Sequence, residues 1–280
     1  MTLRIAVPNK GILADAATQM LDEAGYVVRR DSKELTVFDG ANDVEFFYLR
    51  PRDIATYVGS GSLDVGITGR DLLVDSGSTA LEIVGLEFGA STFRFAGPLG
   101  EYKDVSDLEG MRIATSYAGI VARFLAENGI TARIVELDGA VESAIRLGVA
   151  DVVADVVSTG TTLRQQGLEA FGPVVLDSTA VLISARDDVP GLTTFQRRLQ
   201  GVLVARKYVL MDYDLPAELV AAASKITPGL ESPTVSPLRD TGWVAVRVMV
   251  PTGDTNRIMD ELYELGARAI LVSAIHAARI

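Results

Sequence analysis

The sequence predicts an α/β fold with a two-lobed body and a small additional domain. At 280 residues the chain exceeds the roughly 100–200 residues of a usual single domain, and a hydrophobic content of 48% is ample for sizeable cores. Short β-branched runs alternate with segments of helical period along most of the chain. We expect one lobe from residues 1–91 and 181–210, a second from 92–180, and a third domain from 211–280.

The first lobe is predicted from segments that alternate strand and helix. A proline opens the second of its helices, and Gly25 serves as the C-cap of the first. In chain order the segments are the strand "LRIAV", the helix "GILADAATQMLDEAG", the strand "VEFFYL", the helix "PRDIATYVGSG" and the strand "LDVGIT". This alternation favours a mostly parallel sheet covered by helices.

The second lobe continues the alternation after the strands "FRFAGP" and "MRIAT". Between them, Ser106 and Glu109 have the spacing of a capping box, which predicts a short helix. The later segments are the helix "AGIVARFLAENG", the strand "ARIVEL", the helix "GAVESAIRLG", the strand "DVVADVV", a helix after Thr162 and the strand "PVVLDSTAVLIS". The helical segment "TTFQRRLQGVLVARK" would return the chain to the first lobe, leaving a cleft between the two lobes.

The last domain has a different order of elements. Its segments are the strand "YVLMDYD", the helix "PAELVAAASKI", the strands "PTVSPL" and "WVAVRVMV", the helix "DTNRIMDELYELG" closed by Gly266, and the strand "ARAILVSAI". The order β-α-β-β-α-β is that of a ferredoxin-like unit.

Composition excludes several classes of function. The net charge is 26 − 37 = −11, which argues against binding to nucleic acid or to anionic membrane surfaces. The chain has no cysteine, so disulfides and thiolate metal sites are excluded. Its single histidine, His276, has no obvious partner, so a histidine base is not expected. Pro8 and Asn9 interrupt the position where a secretory signal would be apolar, and we expect a cytoplasmic protein.

A cluster of hydroxyls around one glycine follows the apolar run "DVVADVV". The cluster consists of Ser158, Thr159, Gly160, Thr161 and Thr162. A strand, a glycine-centred turn and a helix start place free backbone N–H groups and the positive end of the helix dipole at one point, which favours an anion site. Capping of the helix by a serine or threonine side chain is the alternative, and the motif is not a Walker loop because no Gly-Lys-Ser/Thr follows.

Three acidic residues lie close to this turn in the sequence. Asp155 interrupts an apolar run, where an unpaired carboxylate is costly to bury, so we place it at the carboxyl end of the strand. Asp138 and Glu142 flank a helix start, where capping and ligand binding are equally good explanations. An anion site with carboxylates suits a phosphorylated sugar with free hydroxyls. Mg²⁺ would arrive mainly on the substrate's own phosphates, with Glu142 or Asp155 as possible ligands.

Several motifs in one order resemble those of the ATP phosphoribosyltransferase family. They include "VPNKG", "FFYLRPRDIATYVGSG", "DVGITGRDLL", "ELDGAVE" and "ITPGLESPT", and they extend through all three predicted domains, as in the long form of the family. The residues that match the family's signature are Glu142, Gly148, Ala150, Val153, Asp155, Val156, Thr159, Gly160, Thr162 and Leu163.

The resemblance implies a fold and a reaction. The fold would be a type II periplasmic-binding-protein-like body with a ferredoxin-like regulatory domain, assembled into homohexamers from dimers. The reaction is the first of histidine biosynthesis: N1 of ATP is joined to C1 of the ribose of phosphoribosyl pyrophosphate with inversion, and pyrophosphate leaves. The donor's 5-phosphate would bind the turn from Ser158 to Thr162, and its ribose would contact Glu142 and Asp155.

The resemblance places the nucleotide on the first lobe and the hinge. Lys10 and Arg50 follow strands and would meet phosphate or pyrophosphate oxygens, although Lys10 is otherwise an ordinary turn lysine. Asp71 would lie near the adenine or else cap a helix, and Tyr117 would contact the base or else belong to the core.

In the last domain the family's histidine-binding positions match residues that sequence alone would treat as structural. These residues are Asp214, Leu230, Ser232, Thr234 and Ala269. Inhibition by histidine from this domain would be allosteric. A noncatalytic sensor, with a binding-protein-like cleft fused to an amino-acid-binding domain, is the competing interpretation.

Overall fold

A computed structural model describes residues 2–29, 31, 33–158, 160–239 and 242–279. The chain forms two compact units, one from residues 1–22 and 26–196 and the other from 23–25 and 197–280. The boundaries predicted at residues 91, 180 and 210 stay predictions. Within the described ranges, every helix is too short or too polar to cross a membrane.

The first unit contains two lobes, each built on its own sheet. The first lobe has a six-stranded sheet in the order β2-β3-β1-β4-β11-β5. Its strands are β1 (Leu3–Pro8), β2 (Thr36–Asp39), β3 (Val44–Leu49), β4 (Val65–Gly69), β5 (Leu81–Gly85) and β11 (Ala180–Ser184). Its helices are α1 (Ile12–Glu23), α2 (Pro51–Gly59) and α3 (Arg70–Asp75).

The second lobe has a five-stranded sheet in the order β10-β6-β9-β7-β8. Its strands are β6 (Ser91–Pro98), β7 (Arg112–Thr115), β8 (Arg133–Glu136), β9 (Val152–Val157) and β10 (Leu168–Ser178). Its helices are α4 (Ala118–Asn128), α5 (Ser143–Arg146), α6 (Thr161–Gln165) and a 3₁₀ helix, Val105–Leu108. The order β8-β7-β9-β6-β10 matches β3-β1-β4-β11-β5 of the first lobe, so the two lobes repeat one topology.

The sheets are mixed, and the prediction of a mostly parallel sheet was wrong. In the first lobe β1 pairs in parallel with β3 and β4, whereas β11 is antiparallel to both β4 and β5. In the second lobe β6 is likewise antiparallel to β9 and β10. Strand β6 is the first strand after the chain crosses into the second lobe, and β11 is the first after it returns. The pattern of apolar residues within a strand does not reveal that the chain has changed lobes.

Three local predictions also need correction. The segment "PVVLDSTAVLIS" forms two strands in different sheets, since β10 ends at Ser178 and β11 begins at Ala180. The capping box of the 3₁₀ helix is formed by Asp104 and Asp107, not by Ser106 and Glu109. The helix predicted over "GAVESAIRLG" is confined to α5, and β2 and β5 were not predicted.

The second unit has a four-stranded antiparallel sheet in the order β13-β14-β12-β15. Its strands are β12 (Tyr208–Pro216), β13 (Thr234–Pro237), β14 (Trp243–Pro251) and β15 (Arg268–Ala274), and its helices are α8 (Val220–Ile226) and α9 (Thr255–Leu265). Helix α7 (Leu192–Lys207) connects the two units in the chain. As predicted, Gly266 closes α9 in a left-handed conformation with φ +114°.

The described parts of each lobe and of the second unit have separate apolar cores. In the second lobe Phe93, Phe95 and Val152 are fully buried. In the second unit Met211 and Tyr213 of β12 pack against Leu262 of α9, while alternate residues of the strand face the open side of the sheet. Each core therefore fixes the strands from whose ends the candidate site is built.

Candidate active site

Asp155 lies near the carboxyl end of β9, as predicted. Strand β9 is paired on both sides, which fixes the position of Asp155. It runs parallel to β7 on one side, and on the other it is antiparallel to β6, where Asp155 lies opposite Arg94. The side chain is partly buried, and the Val156 N–H donates to its Oδ1 at 2.7 Å. The carboxylate therefore stands at the point where the strand opens into the hydroxyl-rich turn.

The turn after β9 leads into α6 through a glycine. Gly160 is the N-cap residue of α6 with φ +68°, and it has no side chain that could cap the helix. The positive φ explains why glycine is suited to this position, and the alternative of a cap by a serine or threonine side chain stays a prediction. Ser158, Thr161 and Thr162 line the adjacent cavity together with the glycine. Thr159 lies outside the described residues.

Two carboxylates share this cavity of about 200 Å³ with the turn. Burial raises the pKa of Asp155 to about 6, and the negative charges of Glu142 and Asp71 contribute in the same direction. Glu142 makes no side-chain cap to α5, so capping does not explain it. Hydroxyl and amide donors on one side, with acceptors on the other, are suited to a ligand that carries both a phosphate and free hydroxyls.

Asp71 lies at the start of α3 and is buried, with 8% of its surface exposed. It accepts a hydrogen bond from the Ser178 hydroxyl at 2.8 Å, and its charge acts on the Tyr117 phenol. The N-cap of α3 is Gly69, without a side-chain cap, so the capping alternative for Asp71 is wrong. Burial and the charges of Asp71 and Asp155 raise the pKa of Tyr117, which keeps the phenol protonated and able to donate.

A second cavity, of about 530 Å³, adjoins the first along Val156 and Ser158. Lys10 and Asp71 of the first lobe and Tyr117 of the second lobe line it. The Tyr117 ring also packs edge-on against Phe93, with centroids 5.4 Å apart, so this tyrosine belongs to both the core and the cavity. The cavity therefore brings together three of the residues predicted for the nucleotide.

A third cavity, of about 630 Å³, contains Lys10 and the remaining predicted cation, Arg50. Asp138 lines this cavity and not the one with Glu142 and Asp155, although all three were predicted for the same ligand. Ser116 fixes the loop that carries Asp138, since its hydroxyl donates to the carbonyl of Leu137 and accepts from the N–H of Gly139. The capping alternative for Asp138 is wrong as well, because α5 begins only at Ser143.

Arg52 is a cavity residue that the sequence analysis did not identify. It lines the cavity of Arg50, pairs with Asp75 at 2.7 Å and lies 5.0 Å from the centre of the Tyr117 ring. The sequence does contain a signal for this residue: Arg52 is in the first turn of α2, where a positive charge is unfavourable next to the helix dipole. A basic residue at such a position calls for another explanation, and here it faces the cleft.

In the second unit the predicted histidine-binding residues form two groups. Leu230, Ser232 and Thr234 line a cavity of about 440 Å³ with Leu210 of β12. Asp214 is four residues further along β12, about 13 Å at 3.3 Å per residue, and pairs with β15 beside a bulge. Ala269 lies in that bulge with φ +50°, a conformation that is uncommon for alanine.

Comparisons with known proteins identify the family of the chain. The ATP phosphoribosyltransferase family model matches residues 50–201, and the model of the HisG C-terminal domain matches residues 205–277. ATP phosphoribosyltransferase of Arthrobacter sp. (strain FB24) is 63% identical, covering 99% of this chain and all of that protein. The enzyme of Streptomyces coelicolor is 62% identical over the same shares of the two chains.

Solved structures agree on the fold of the body. The ATP phosphoribosyl transferase (HisG:HisZ) complex from Thermotoga maritima has a TM-score of 0.62 and 27% identity, covering 71% of this chain and 97% of its own. A glutamate-bound ligand-binding core from Nostoc punctiforme has a TM-score of 0.50 at 15% identity over 71% of this chain and 91% of its own, which shows the periplasmic-binding-protein-like fold alone. On the matches to both family models and to full-length relatives, the chain belongs to the ATP phosphoribosyltransferase family, in its long form.

Proposed function

We propose that this chain transfers the 5-phosphoribosyl group of phosphoribosyl pyrophosphate to N1 of ATP, releasing pyrophosphate and forming phosphoribosyl-ATP. The observation that carries the proposal is the cavity in which a glycine-centred turn meets Glu142 and Asp155. The donors of the turn are suited to a phosphate, and the two carboxylates are suited to the hydroxyls of a pentose. The role in histidine biosynthesis carries with it the expectation of a cytoplasmic enzyme.

The donor is proposed to lie across the first cavity. The turn from Ser158 to Thr162 would hold the 5-phosphate through amide and hydroxyl donors, while Glu142 and Asp155 accept hydrogen bonds from the ribose 2′ and 3′ hydroxyls. The anomeric carbon would then point toward the adjoining cavity, which shares Val156 and Ser158 with the first. Asp138 would act from the neighbouring cavity and not on the ribose.

The nucleotide is proposed to occupy the two larger cavities. Asp71 offers a hydrogen-bond acceptor to the adenine, and the Tyr117 ring offers a surface on which the base can stack. Lys10 lines both of these cavities, and Arg50 lines the cavity of about 630 Å³. The two cations can therefore meet the triphosphate and the departing pyrophosphate. This arrangement would bring N1 of the base toward the anomeric carbon.

The proposed mechanism relies on geometry and charge. Departure of pyrophosphate before N1 is fully bonded gives the ribose oxocarbenium character, and Lys10 and Arg50 would stabilise the negative charge that develops on the leaving group. N1 of adenine already has a lone pair, so no side chain has to remove a proton. Holding the two substrates in line is the other contribution of the protein.

The carboxylates of this site fit a magnesium ion that arrives with its substrate. Among the described residues no cluster of three acidic or histidine side chains could hold a metal by itself, but Glu142 and Asp155 share one cavity. Mg²⁺ typically binds to one or two carboxylates together with substrate phosphates and water. Bound in this way, it would neutralise pyrophosphate charge, and Glu142 or Asp155 would orient it.

The second unit is proposed to bind histidine and to inhibit the enzyme allosterically. Leu230, Ser232 and Thr234 would form one part of the site, and Asp214 and Ala269 the other. Both parts lie along one four-stranded sheet, yet they are separated along β12. This separation supports an assembly in which a second copy completes the site, in line with the homohexamer, built from dimers, that the family resemblance implies.

A direct assay tests the proposed activity. The purified protein, mixed with ATP, phosphoribosyl pyrophosphate, Mg²⁺ and pyrophosphatase, is expected to form the N1-substituted adenine, followed by its ultraviolet absorbance. Mixtures that lack either substrate serve as controls. Absence of product, with binding of either substrate intact by calorimetry, would support a noncatalytic sensor instead.

Replacement of Thr162 by valine tests the phosphate turn. The hydroxyl is lost with little change of shape, so we expect KM for phosphoribosyl pyrophosphate to rise about tenfold to a hundredfold, the effect of losing one hydrogen bond to a charged group. KM for ATP should change less than about twofold. Thr131→Val, at an exposed threonine of the same lobe, is the matched control. Equal effects on both substrates would remove the turn from the donor site.

The raised pKa of Asp155 predicts a pH dependence of donor binding. The carboxyl is ionised above about pH 6 and becomes protonated as the pH falls below it, which removes a charged acceptor for the ribose hydroxyls. KM for phosphoribosyl pyrophosphate is thus expected to rise between pH 7.5 and 5. The phosphate of the donor also titrates near pH 6. In Asp155→Asn only the titration of the phosphate remains, so the variant shows its contribution alone. Identical pH dependence of KM in the variant and the wild type would contradict the prediction.

Two substitutions test the histidine site without touching the cleft. Ser232→Ala and Asp214→Asn are each expected to raise the histidine concentration for half-inhibition about tenfold, because the first removes a hydroxyl and the second removes a carboxylate charge. Uninhibited kcat should stay unchanged. Ser273→Ala, at an exposed serine on β15, is the control. Undiminished inhibition in both variants would place the histidine site elsewhere.

A further inference from the structure

One carboxylate joins the two lobes at the edge of the cleft. Asp75 ends α3 in the first lobe, and its side chain is only 9% exposed. Its Oδ2 pairs with Nη1 of Arg52 at 2.7 Å. Its Oδ1 accepts from the backbone N–H groups of Gly119 at 2.8 Å and Ile120 at 3.2 Å, in the first turn of α4 in the second lobe. A residue of one lobe therefore caps a helix of the other.

The backbones of the two lobes approach closely at the same place. A Cβ on Gly119 would collide with the carbonyl oxygen of Asp75, although the φ of Gly119 is not positive. Glycine is thus required there by the close approach alone. Arg123 of α4 extends the contact by donating to the carbonyl of Val74 at 3.5 Å. The junction is specific in geometry and is not an incidental surface ion pair.

Both ends of the junction lead to residues that line the cleft. Arg52 lines the cavity of Lys10 and Arg50, and its guanidinium lies 5.0 Å from the centre of the Tyr117 ring. Tyr117 is the N-cap residue of α4, so the amides that Asp75 binds are only two and three positions after it in the chain. The one carboxylate can consequently fix the orientation of a cation from the first lobe and an aromatic ring from the second.

We propose that Asp75 is a positioning residue for the nucleotide side of the cleft, which holds Arg52 and Tyr117 in register across the two lobes. This inference rests on the proposed function. Charge-assisted hydrogen bonds of a largely buried carboxylate resist reorientation more than those of an exposed pair. Loss of Asp75 would release the Arg52 guanidinium and the first turn of α4 together, while the turn after β9 keeps its own contacts. The effect should accordingly fall on ATP and not on the donor.

The test compares Asp75→Asn and Gly119→Ala with wild type. The first removes the charge that holds Arg52; the second separates the lobes without changing a charge or a cavity side chain. Both are expected to raise KM for ATP, and its Kd by calorimetry, about tenfold, with KM for phosphoribosyl pyrophosphate changed less than about twofold. Combining Asp75→Asn with Arg52→Gln should add little to either change alone, because the two residues act as one unit.

Matched controls separate positioning from general destabilisation. Asp188→Asn breaks an exposed pair with Arg186, and Gly253→Ala adds a Cβ where no atom lies within 4 Å; both should leave both KM values unchanged. Equal losses for both substrates, or additive effects of Asp75→Asn and Arg52→Gln, would overturn the inference while leaving the transferase proposal standing. Conversely, a wild-type protein that binds ATP without turnover, and loses that binding in both variants, would refute the transferase and retain the positioning role.

Discussion

The cleft depends on two crossing strands that are hydrogen-bonded to each other. Leu86 donates to the carbonyl of Ala180 at 2.8 Å, and Ala180 donates back to the carbonyl of Phe88 at 2.8 Å. Because β11 joins the first sheet only after the chain has built the second, the first lobe is not complete until both crossings are made. The carboxyl ends of β1, β3 and β4 are thereby held near those of β7 and β9. Residues far apart in sequence consequently line shared cavities.

Charge is unevenly distributed in the cleft formed in this way. Burial, together with the negative charges of Glu142 and Asp71, raises the pKa of Asp155, so these carboxylates repel one another across the cleft. A ligand whose hydroxyls donate to them, or a divalent cation, relieves that repulsion. The net charge of −11 repels anionic substrates at long range, but salt screens charges beyond about 8 Å at physiological ionic strength. Attraction must therefore come from cations that line the cavities themselves, Lys10, Arg50 and Arg52.

Much of this arrangement could be predicted from sequence, because it is encoded locally. The apolar run that ends at Asp155, the glycine of the following turn and the β-α-β-β-α-β order of the tail each have a short-range signal. Sequence could not separate Asp138 from Glu142, because the two residues are only four positions apart and reach different cavities once Ser116 fixes the loop. It also could not detect that "PVVLDSTAVLIS" changes sheets, because a strand that crosses between lobes has the same β-branched pattern as one that does not.

A reaction that needs no general base shifts the demands on the protein from acidity to position. A displacement of about 1 Å can cost about a hundredfold in rate, so the residues that hold the cleft are as consequential as those that touch substrate. Here two cleft residues, Asp71 and Arg52, are held by residues from other parts of the chain. Ser178, from the return crossing, fixes Asp71 of α3, and Asp75 of the first lobe fixes both Arg52 and the start of α4. The cleft is therefore one connected structure, in which geometry on the nucleotide side cannot change in one lobe without changing in the other.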